Sequence, residues 1–274
     1  MRSRPLFRSG TRLEALPELT ALAEAGRFGQ AAATATVTPD GKLVDIAMAP
    51  STGDPAIDAA IVRALQGWQM SSPLDKTGAR VATTVRVPVM IGRSPKRLAG
   101  PVPTMPQAAK DAFHNGKVVI DFTIDPAGVP GEVSVKTSSR SDLLDKVALD
   151  AVMASRFAPP LDLLGKPTSF KTQLAFGFSQ LDREGSYIGS LQSLRCREVA
   201  GETDWWIQAH PGERLTMEFY HFMGGLAFLA TDSLGWGKLG LVEATRKHQT
   251  AWEKAIKTCR EKPEAKFFEI YRKG

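Results

Sequence analysis

Histidine, serine and lysine side chains are the groups in this chain that could support catalysis or bind a metal. The four histidines are His114, His210, His221 and His248. None has a ligand-like spacing to another histidine, a cysteine or a paired carboxylate, so each is predicted to be a solvated or core residue. The sequence Lys76-Thr77-Gly78 matches one fragment of a serine β-lactamase signature. Its companion motifs Ser-x-x-Lys and Ser-Asp-Asn do not accompany it, so we predict a turn there.

The other motifs that carry chemistry are also missing from the sequence. It contains no Gly-x-Ser-x-Gly elbow, Walker motif or dinucleotide fingerprint. We therefore predict no catalytic residue, no metal and no cofactor, and we expect a protein that is not an enzyme. The alternative is an enzyme whose site lies between domains and matches no known sequence motif.

Length and charge limit the classes of partner. The 274 residues give room for roughly two or three domains. The net charge is +6, and part of the excess lies in a predicted basic tail that contains Arg2, Arg4, Arg8 and Arg12. Nucleic-acid binding needs basic side chains gathered on one face, and the sequence shows no such cluster, so we expect no nucleic-acid partner.

No segment of the sequence is predicted to enter or cross a membrane. No apolar run follows the basic residues after Met1, so we expect no signal peptide. The longest apolar region, 215–242, contains Glu218, Asp232 and Lys238, which argues against a membrane span. Membrane association is expected only through an anchor that this sequence does not contain.

An internal repeat organises the first two thirds of the chain. Gly41 aligns with Gly128 at a shift of 128 − 41 = 87, and the register then holds without a gap from 36 to 91 and from 123 to 178. In each copy, alternating strands flank a turn, a helix with one apolar stripe follows, and a long alternating strand ends the unit. This period is too long for a solenoid, so we predict two small domains in tandem.

Capping residues and prolines define the elements of the two copies. In the first copy we predict strands at 33–38, 43–48 and 80–91, and a helix that begins near Pro55 and is capped by Asp54 or Ser51. In the second copy we predict that Ser138-Ser139 caps the helix. Asp58 and Asp145 lie in the first helical turns, where a negative charge is favourable.

The predicted domains follow from these patterns. They are an N-terminal lead and short helix at 1–26, repeat one at 27–92, a proline-rich linker at 93–106, repeat two at 107–180 and an α-helical domain at 181–274. Helices are predicted at 187–200, 213–231, 242–259 and 264–272. The fold class is α+β, with an antiparallel three-stranded sheet and a packed helix in each repeat.

The two cysteines, Cys196 and Cys259, both lie in the helical domain, 63 residues apart. A disulfide between them would add about 4 kcal/mol on the chain-entropy model, whereas two free buried thiols are the alternative. Two neighbouring tryptophans, Trp205 and Trp206, are predicted to divide between a buried and a partly exposed position.

Repeat two resembles the C-terminal domain of TonB, the protein that carries inner-membrane energy to outer-membrane receptors. The similarity lies in the order and spacing of short segments over about 65 residues. These segments are 122–128 (FTIDPAG), Ser138-Ser139, Leu144-Asp145 with Ala148-Leu149, 156–160 (RFAPP) and Gly165-Lys166-Pro167. The resemblance implies a periplasmic protein-interaction module of the energy-transducer class. It also implies a protein partner, either an outer-membrane receptor-like peptide or another envelope protein.

The resemblance further implies that the final strand of repeat two captures the partner by strand addition. Transferred by position, the binding residues are Ser169, Phe170, Lys171, Thr172, Gln173, Leu174, Ala175 and Phe176. Pro88 of repeat one aligns with Ala175, and because proline lacks an N–H, repeat one is predicted to be the poorer binder. The alternatives are that the edges of the two repeats meet, that a homodimer forms, or that the helical domain acts as a periplasmic chaperone tethered by the tandem.

Overall fold

The fold described here is that of a computed structural model, and it covers residues 7–92, 94–229 and 239–273. Arg2, Arg4 and Arg93, and the end of the helix predicted at 213–231, lie outside the described residues. The described chain divides into two compact units. The first contains the described residues of 1–100, 122–132 and 155–172, and the second those of 101–121, 133–154 and 173–274.

Ten strands and nine α-helices occur in the described residues. The strands are β1 (Phe7–Ser9), β2 (Gly29–Val37), β3 (Leu43–Met48), β4 (Gln69–Met70), β5 (Thr83–Ile91), β6 (Arg97–Ala99), β7 (Gly116–Ile124), β8 (Pro130–Thr137), β9 (Arg156–Phe157) and β10 (Phe170–Phe178). The helices are α1 (Pro17–Glu24), α2 (Pro55–Gln66), α3 (Gln107–Asp111), α4 (Asp142–Met153), α5 (Tyr187–Ser190), α6 (Cys196–Ala209), α7 (Glu218–Leu229), α8 (Leu241–Glu261) and α9 (Phe267–Tyr271). The predicted α+β class is confirmed.

Each repeat builds one three-stranded sheet, and the central strand is the one that comes first in the chain. The orders are β3-β2-β5 in repeat one and β10-β7-β8 in repeat two. In repeat one both pairings are antiparallel. Ile57, Ile61 and Leu65 of α2 are buried with Ala33 and Val89 of the sheet in one core. The helical stripe and the strand alternation predicted from the sequence therefore form this core.

The repeat is visible in the backbone as well as in the sequence. Left-handed φ angles recur at the same shift of 87 in five pairs: Gly26/Phe113, Gly41/Gly128, Asp45/Glu132, Gly53/Arg140 and Gly78/Gly165. The short strands repeat too, since β1 pairs with β4 and β6 pairs with β9. The structural repeat thus begins earlier in the chain than residues 36 and 123, where the gap-free sequence alignment starts. One of its strands, β6, lies within the segment predicted as a linker.

The two central helices are capped at equivalent positions. The Asp54 carboxylate accepts hydrogen bonds from the Ala56 and Ile57 N–H groups at the start of α2. At the start of α4 the cap is Ser141, whose hydroxyl accepts from Leu144 N–H. The prediction that Ser138-Ser139 caps this helix is therefore wrong.

Ser139 has a different role, because its hydroxyl and backbone N–H both donate to Asp145, at 2.7 and 2.9 Å. Thr52 makes the same two bonds to Asp58 in repeat one, at 2.6 and 2.9 Å. The serine pair does not cap the helix because it lies before Ser141, the residue next to the first helical turn. The Ser139 hydroxyl instead donates to Asp145 and accepts from the Ser141 N–H. The two first-turn aspartates therefore fix the loop that precedes each helix.

The C-terminal region is helical, as predicted, but its first helix is broken. The predicted helix 187–200 is instead a single turn, α5, followed by turns and then by α6, which begins at Cys196. Cys196 and Cys259 form a disulfide with a Cα–Cα distance of 4.6 Å. The bond lies in a core that includes Val199, Phe219 and Trp252.

Substitution of both cysteines by serine should lower the free energy of unfolding by about 4 kcal/mol, because the bridge closes a long loop in the unfolded chain. Urea denaturation of the double variant and of the wild type measures the difference. A reductant should destabilise the wild type to the same extent and leave the variant unchanged. Equal stability of the two oxidised proteins would contradict the expectation.

A second expectation concerns the turn between β2 and β3. A Cβ at Gly41, where φ is 88°, would lie 2.3 Å from the Met70 carbonyl oxygen. Gly78 has a similar φ of 84° but nothing within 4 Å. Gly78→Ala should therefore cost about 1–2 kcal/mol from the backbone conformation alone, and Gly41→Ala should cost clearly more in the same urea experiment. Equal losses of stability in the two variants would contradict the expectation, because they would show that the Met70 carbonyl can move away from the new Cβ at no cost.

Candidate peptide-binding edge

The outer strands of the two three-stranded sheets are β3, β5, β8 and β10. An outer strand presents backbone N–H and C=O groups that another chain can pair with, and proteins commonly blunt such edges with bulges or proline. The question for each strand is therefore whether its outer side is regular enough to receive an added strand.

Two of the four edges are interrupted at equivalent positions. The β2–β3 register shifts between Thr34 and Thr36, opposite Asp45, which has a φ of 52°. Glu132 in β8 has a φ of 51° and lies 87 residues further along the chain. A left-handed residue inside a strand turns the following groups out of the regular pairing direction. Both β3 and β8 are consequently poor edges for strand addition.

The third edge, β5, is interrupted by Pro88. Pro88 lies opposite Ala32 of the central strand β2. Ala32 directs its own N–H and C=O to the β3 side, where they bond to the Pro50 oxygen and the Ala49 N–H. Ala32 and Pro88 therefore form a non-hydrogen-bonded pair, and the nitrogen of Pro88 faces the free side of β5. An added strand would find no donor at this position.

The fourth edge, β10, has neither interruption. Its residues include no proline, and none of them has a left-handed φ. By the repeat register, the residues whose backbone faces outward are Lys171, Gln173, Ala175 and Gly177. All four residues are exposed, and Phe170, Thr172, Leu174 and Phe176 on the other face are half-buried. Ser169 lies just before the strand and is exposed.

The predicted alternation along the final strand is therefore confirmed, and its edge position leaves one side without a strand neighbour in the described chain. The alternative that β5 and β10 pair with each other is wrong, because they belong to separate sheets. Gln173 accepts a 3.0 Å hydrogen bond from Lys136 of β8. Both side chains are exposed, so this bond contributes little to stability.

The carboxyl group of Glu202 holds the chain immediately after β10. Glu202 lies on α6 and is 1% exposed. Its two oxygens accept hydrogen bonds from the Ser179 hydroxyl at 2.8 Å and from Gln180 N–H at 2.5 Å. Its backbone oxygen accepts from the Asn115 side chain at 2.9 Å, next to the first residue of β7. One residue of the helical region therefore fixes the ends of two strands.

Burial raises the pKa of Glu202 to about 8, against the lowering effect of the bonds from Ser179 and Gln180. Sequence reasoning missed this residue. A signal was available, because Val199, Glu202 and Trp206 follow one another at helical spacing on the buried face of α6. A carboxylate in such a stripe indicates a buried polar contact rather than a solvated face.

A cavity of about 300 Å³ lies beside Glu202. Its wall includes Phe178 at the end of β10, Tyr187 of α5, and His210 at the end of α6. The His210 ring stacks on Trp206 at 4.3 Å. Trp206 is buried and Trp205 is half-buried, as predicted for this pair. Burial also raises the pKa of Tyr187.

The other side chains considered for chemistry have structural roles. His248 is buried and its Nδ1 lies 2.7 Å from the Tyr271 hydroxyl. Lys76-Thr77-Gly78 forms a turn in which Asp75 accepts from Thr77 N–H and Ala79 N–H. Within 7–92, 94–229 and 239–273, no group of three or more histidine, cysteine or acidic residues could hold a metal ion. No helix of the same ranges is long and apolar enough to span a membrane.

The two repeats define a class of protein, namely tandem α+β modules whose sheets have open outer strands. Two family models identify it further. Residues 101–179 match the family described as Gram-negative bacterial TonB protein C-terminal, and residues 24–89 match the family described as TonB C terminal. The chain therefore contains two TonB C-terminal-like domains in tandem, and the resemblance noted from the sequence is confirmed.

The solved structures that match include the solution NMR structure of the TonB C-terminal domain of Pseudomonas aeruginosa. It is 27% identical, and the alignment covers 32% of this chain and 89% of that one, with a TM-score of 0.28. No curated protein matches. Members of the TonB family are non-catalytic energy transducers associated with the cell envelope, which suggests a protein-interaction role for this chain.

The pKa of Glu202 predicts a pH dependence of stability. The folded state holds the proton up to a pH of about 8, and the unfolded chain loses it near 4.5. The protonated group thus contributes stability that is fully present below 4.5 and is lost as the pH rises towards 8. The advantage of wild type over Glu202→Gln should fall by about 1 kcal/mol per pH unit in that window.

Urea denaturation of both proteins at pH 5, 6.5 and 8 measures this difference. Asp204→Asn is the matched control, since Asp204 lies on the same helix but is exposed. Its curve should run parallel to that of the wild type. A constant difference between wild type and Glu202→Gln would contradict the expectation.

Proposed function

We propose that repeat two binds an extended segment of a partner protein by adding it as a further strand beside β10. The observation that carries this proposal is the regular outer side of β10. Of the four outer strands in the two three-stranded sheets, it alone has neither a left-handed residue nor a proline. The binding residues proposed from the sequence, Ser169 to Phe176, occupy this strand and the position before it.

The bond pattern of such an addition follows from the register. Lys171, Gln173, Ala175 and Gly177 would each offer one N–H and one C=O to the incoming chain. These are backbone groups, so they bind any sequence that can extend, and selectivity must come from side chains. The half-buried face of Phe170, Leu174 and Phe176 favours a partner segment with an apolar residue at every second position.

The proposed partner is a protein of the cell envelope, either an outer-membrane receptor-like peptide or another envelope protein, and the proposed compartment is the periplasm. The family supports both assignments. The disulfide between Cys196 and Cys259 also favours an oxidising compartment. Repeat one is proposed to be mainly structural, because Pro88 removes the donor that Ala175 supplies in repeat two.

Ala175→Pro tests the proposal. The exchange removes one outward N–H from β10, and it should abolish recovery of the partner from an envelope extract. The fold should tolerate it within about 1 kcal/mol, because β5 already accommodates proline at the equivalent position. Urea denaturation checks the stability, and quantitative mass spectrometry of the captured proteins checks the binding. Gln173→Pro should act in the same way.

Pro88→Ala is the matched control, since it changes the equivalent residue of repeat one and should leave recovery undiminished. Hydrogen exchange provides an independent readout, because the Gln173 and Ala175 amides should be protected only when the partner is bound. Recovery that survives both proline exchanges in stable variants would rule out β10 as the binding edge.

A further inference from the structure

The cavity beside Glu202 continues the end of the β10 edge. It is bordered by Phe178 and Ser179, the last residue of β10 and the residue after it. A second cavity, of about 200 Å³, shares this border and also the side chains of Tyr187 and Glu218. All the residues around both cavities belong to the second compact unit. A chain paired with β10 and continuing past Phe178 would therefore reach this space.

The charges around the space are unbalanced. Glu202 is buried, yet no cationic side chain of the described residues forms an ion pair with it. Glu218 borders both cavities and is exposed, and Asp182 borders the smaller one. The smaller cavity has no basic residue in its wall, and the larger one has the imidazole of His210 and the exposed Lys117. Buried carboxylates in proteins are normally paired with a cation or protonated.

The Glu218 carboxylate lies close to the end of the β10 edge. Gly177 has no side chain, and a Cβ there would lie only 3.2 Å from the Glu218 carboxylate. The Glu218 carboxylate thus lies directly over the last outward-facing residue of β10. The apolar part of the wall includes Phe178, Trp206 and Met217. Aliphatic stems of long basic side chains pack well on such surfaces while the charged head reaches a polar group.

We propose that this space receives a lysine or arginine side chain of the peptide that pairs with β10, so that its charge is shared by Glu202 and Glu218. The inference rests on the proposed strand addition and specifies its partner. The partner segment alternates apolar residues along β10 and carries a basic residue where it passes Ser179. The helical region then acts as a selectivity element for a backbone-pairing site that would otherwise accept many sequences.

Burial of the cation beside Glu202 has a measurable consequence. At neutral pH the Glu202 carboxyl group is largely protonated in the free protein, because its pKa is about 8. Arrival of a positive charge favours the carboxylate, so binding should release up to one proton per peptide. A structural carboxyl group that does not contact the ligand would release none.

A display library of random short peptides, selected on the whole chain, tests the inference. Wild type should enrich alternating apolar sequences with lysine or arginine at one fixed position. Ala175→Pro should enrich nothing. Glu202→Gln and Glu218→Gln should enrich the same alternating pattern without the basic residue. Glu218→Gln changes an exposed side chain, so it remains informative if Glu202→Gln folds poorly.

Calorimetry then uses a synthetic peptide with the enriched sequence and its neutral counterpart, with citrulline for arginine or norleucine for lysine. The neutral peptide should bind wild type about tenfold or more weakly, and Glu202→Gln should not distinguish the two. The binding heat of the basic peptide should vary with the ionisation enthalpy of the buffer in wild type only.

The outcomes separate the two proposals. Enrichment that depends on Ala175 but shows no basic residue would overturn the cation site and leave strand addition in place. Enrichment on wild type no different from that on Ala175→Pro would overturn both. A basic preference that persists in both glutamine variants, with no proton release, would assign the preference to another carboxylate and overturn the site proposed here.

Discussion

Unpaired backbone groups on the outer strands are the constraint on which the architecture of the two repeats depends. A three-stranded sheet has two edges with unpaired backbone groups. Each edge must be interrupted, be covered by other residues, or pair with another chain. Two edges are interrupted by left-handed residues at equivalent positions, Asp45 in β3 and Glu132 in β8. A third is interrupted by Pro88, whose nitrogen faces the free side. Three of the four edges are therefore interrupted, and only the edge formed by β10 is regular.

Duplication makes this difference informative, because the two copies share many other backbone features. The helix caps Asp54 and Ser141, the loop bonds to Asp58 and Asp145, and the left-handed pairs all coincide at one shift. Features that recur in both copies are those that the fold needs. Repeat one has Pro88 where repeat two has Ala175. The fold does not require this difference, so it points to function.

Sequence reasoning recovered most of the elements of the repeats because their signals are local. Alternation predicted the strands, the stripe from Ile57 to Leu65 predicted a buried helix face, and Pro55 and Asp54 predicted its start. The helix cap in repeat two was missed because several serines stand close together, and only Ser141 directly precedes the first helical residue. Where the helix begins depends on three-dimensional placement, which composition does not encode.

The helical region was harder to predict for the same reason. Residues 187–200 have the composition of one helix, but the contacts of the turns between α5 and α6 end it early. Leu194, for example, is fully buried, and its carbonyl accepts from Phe267 N–H of α9. Glu202 was overlooked because a glutamate is exposed in most helices, and its burial follows only from the strand ends that it binds.

Glu202 indicates that the helical region contributes to a binding site. A buried carboxyl group without a cation reduces stability at neutral pH, and an apolar residue of similar volume would avoid that cost. The position nevertheless holds a glutamate that bonds to the residues after β10 and lies beside an open cavity. The carboxyl group adds a charge that can appear when a cation arrives, and this property suits a binding site better than a scaffold.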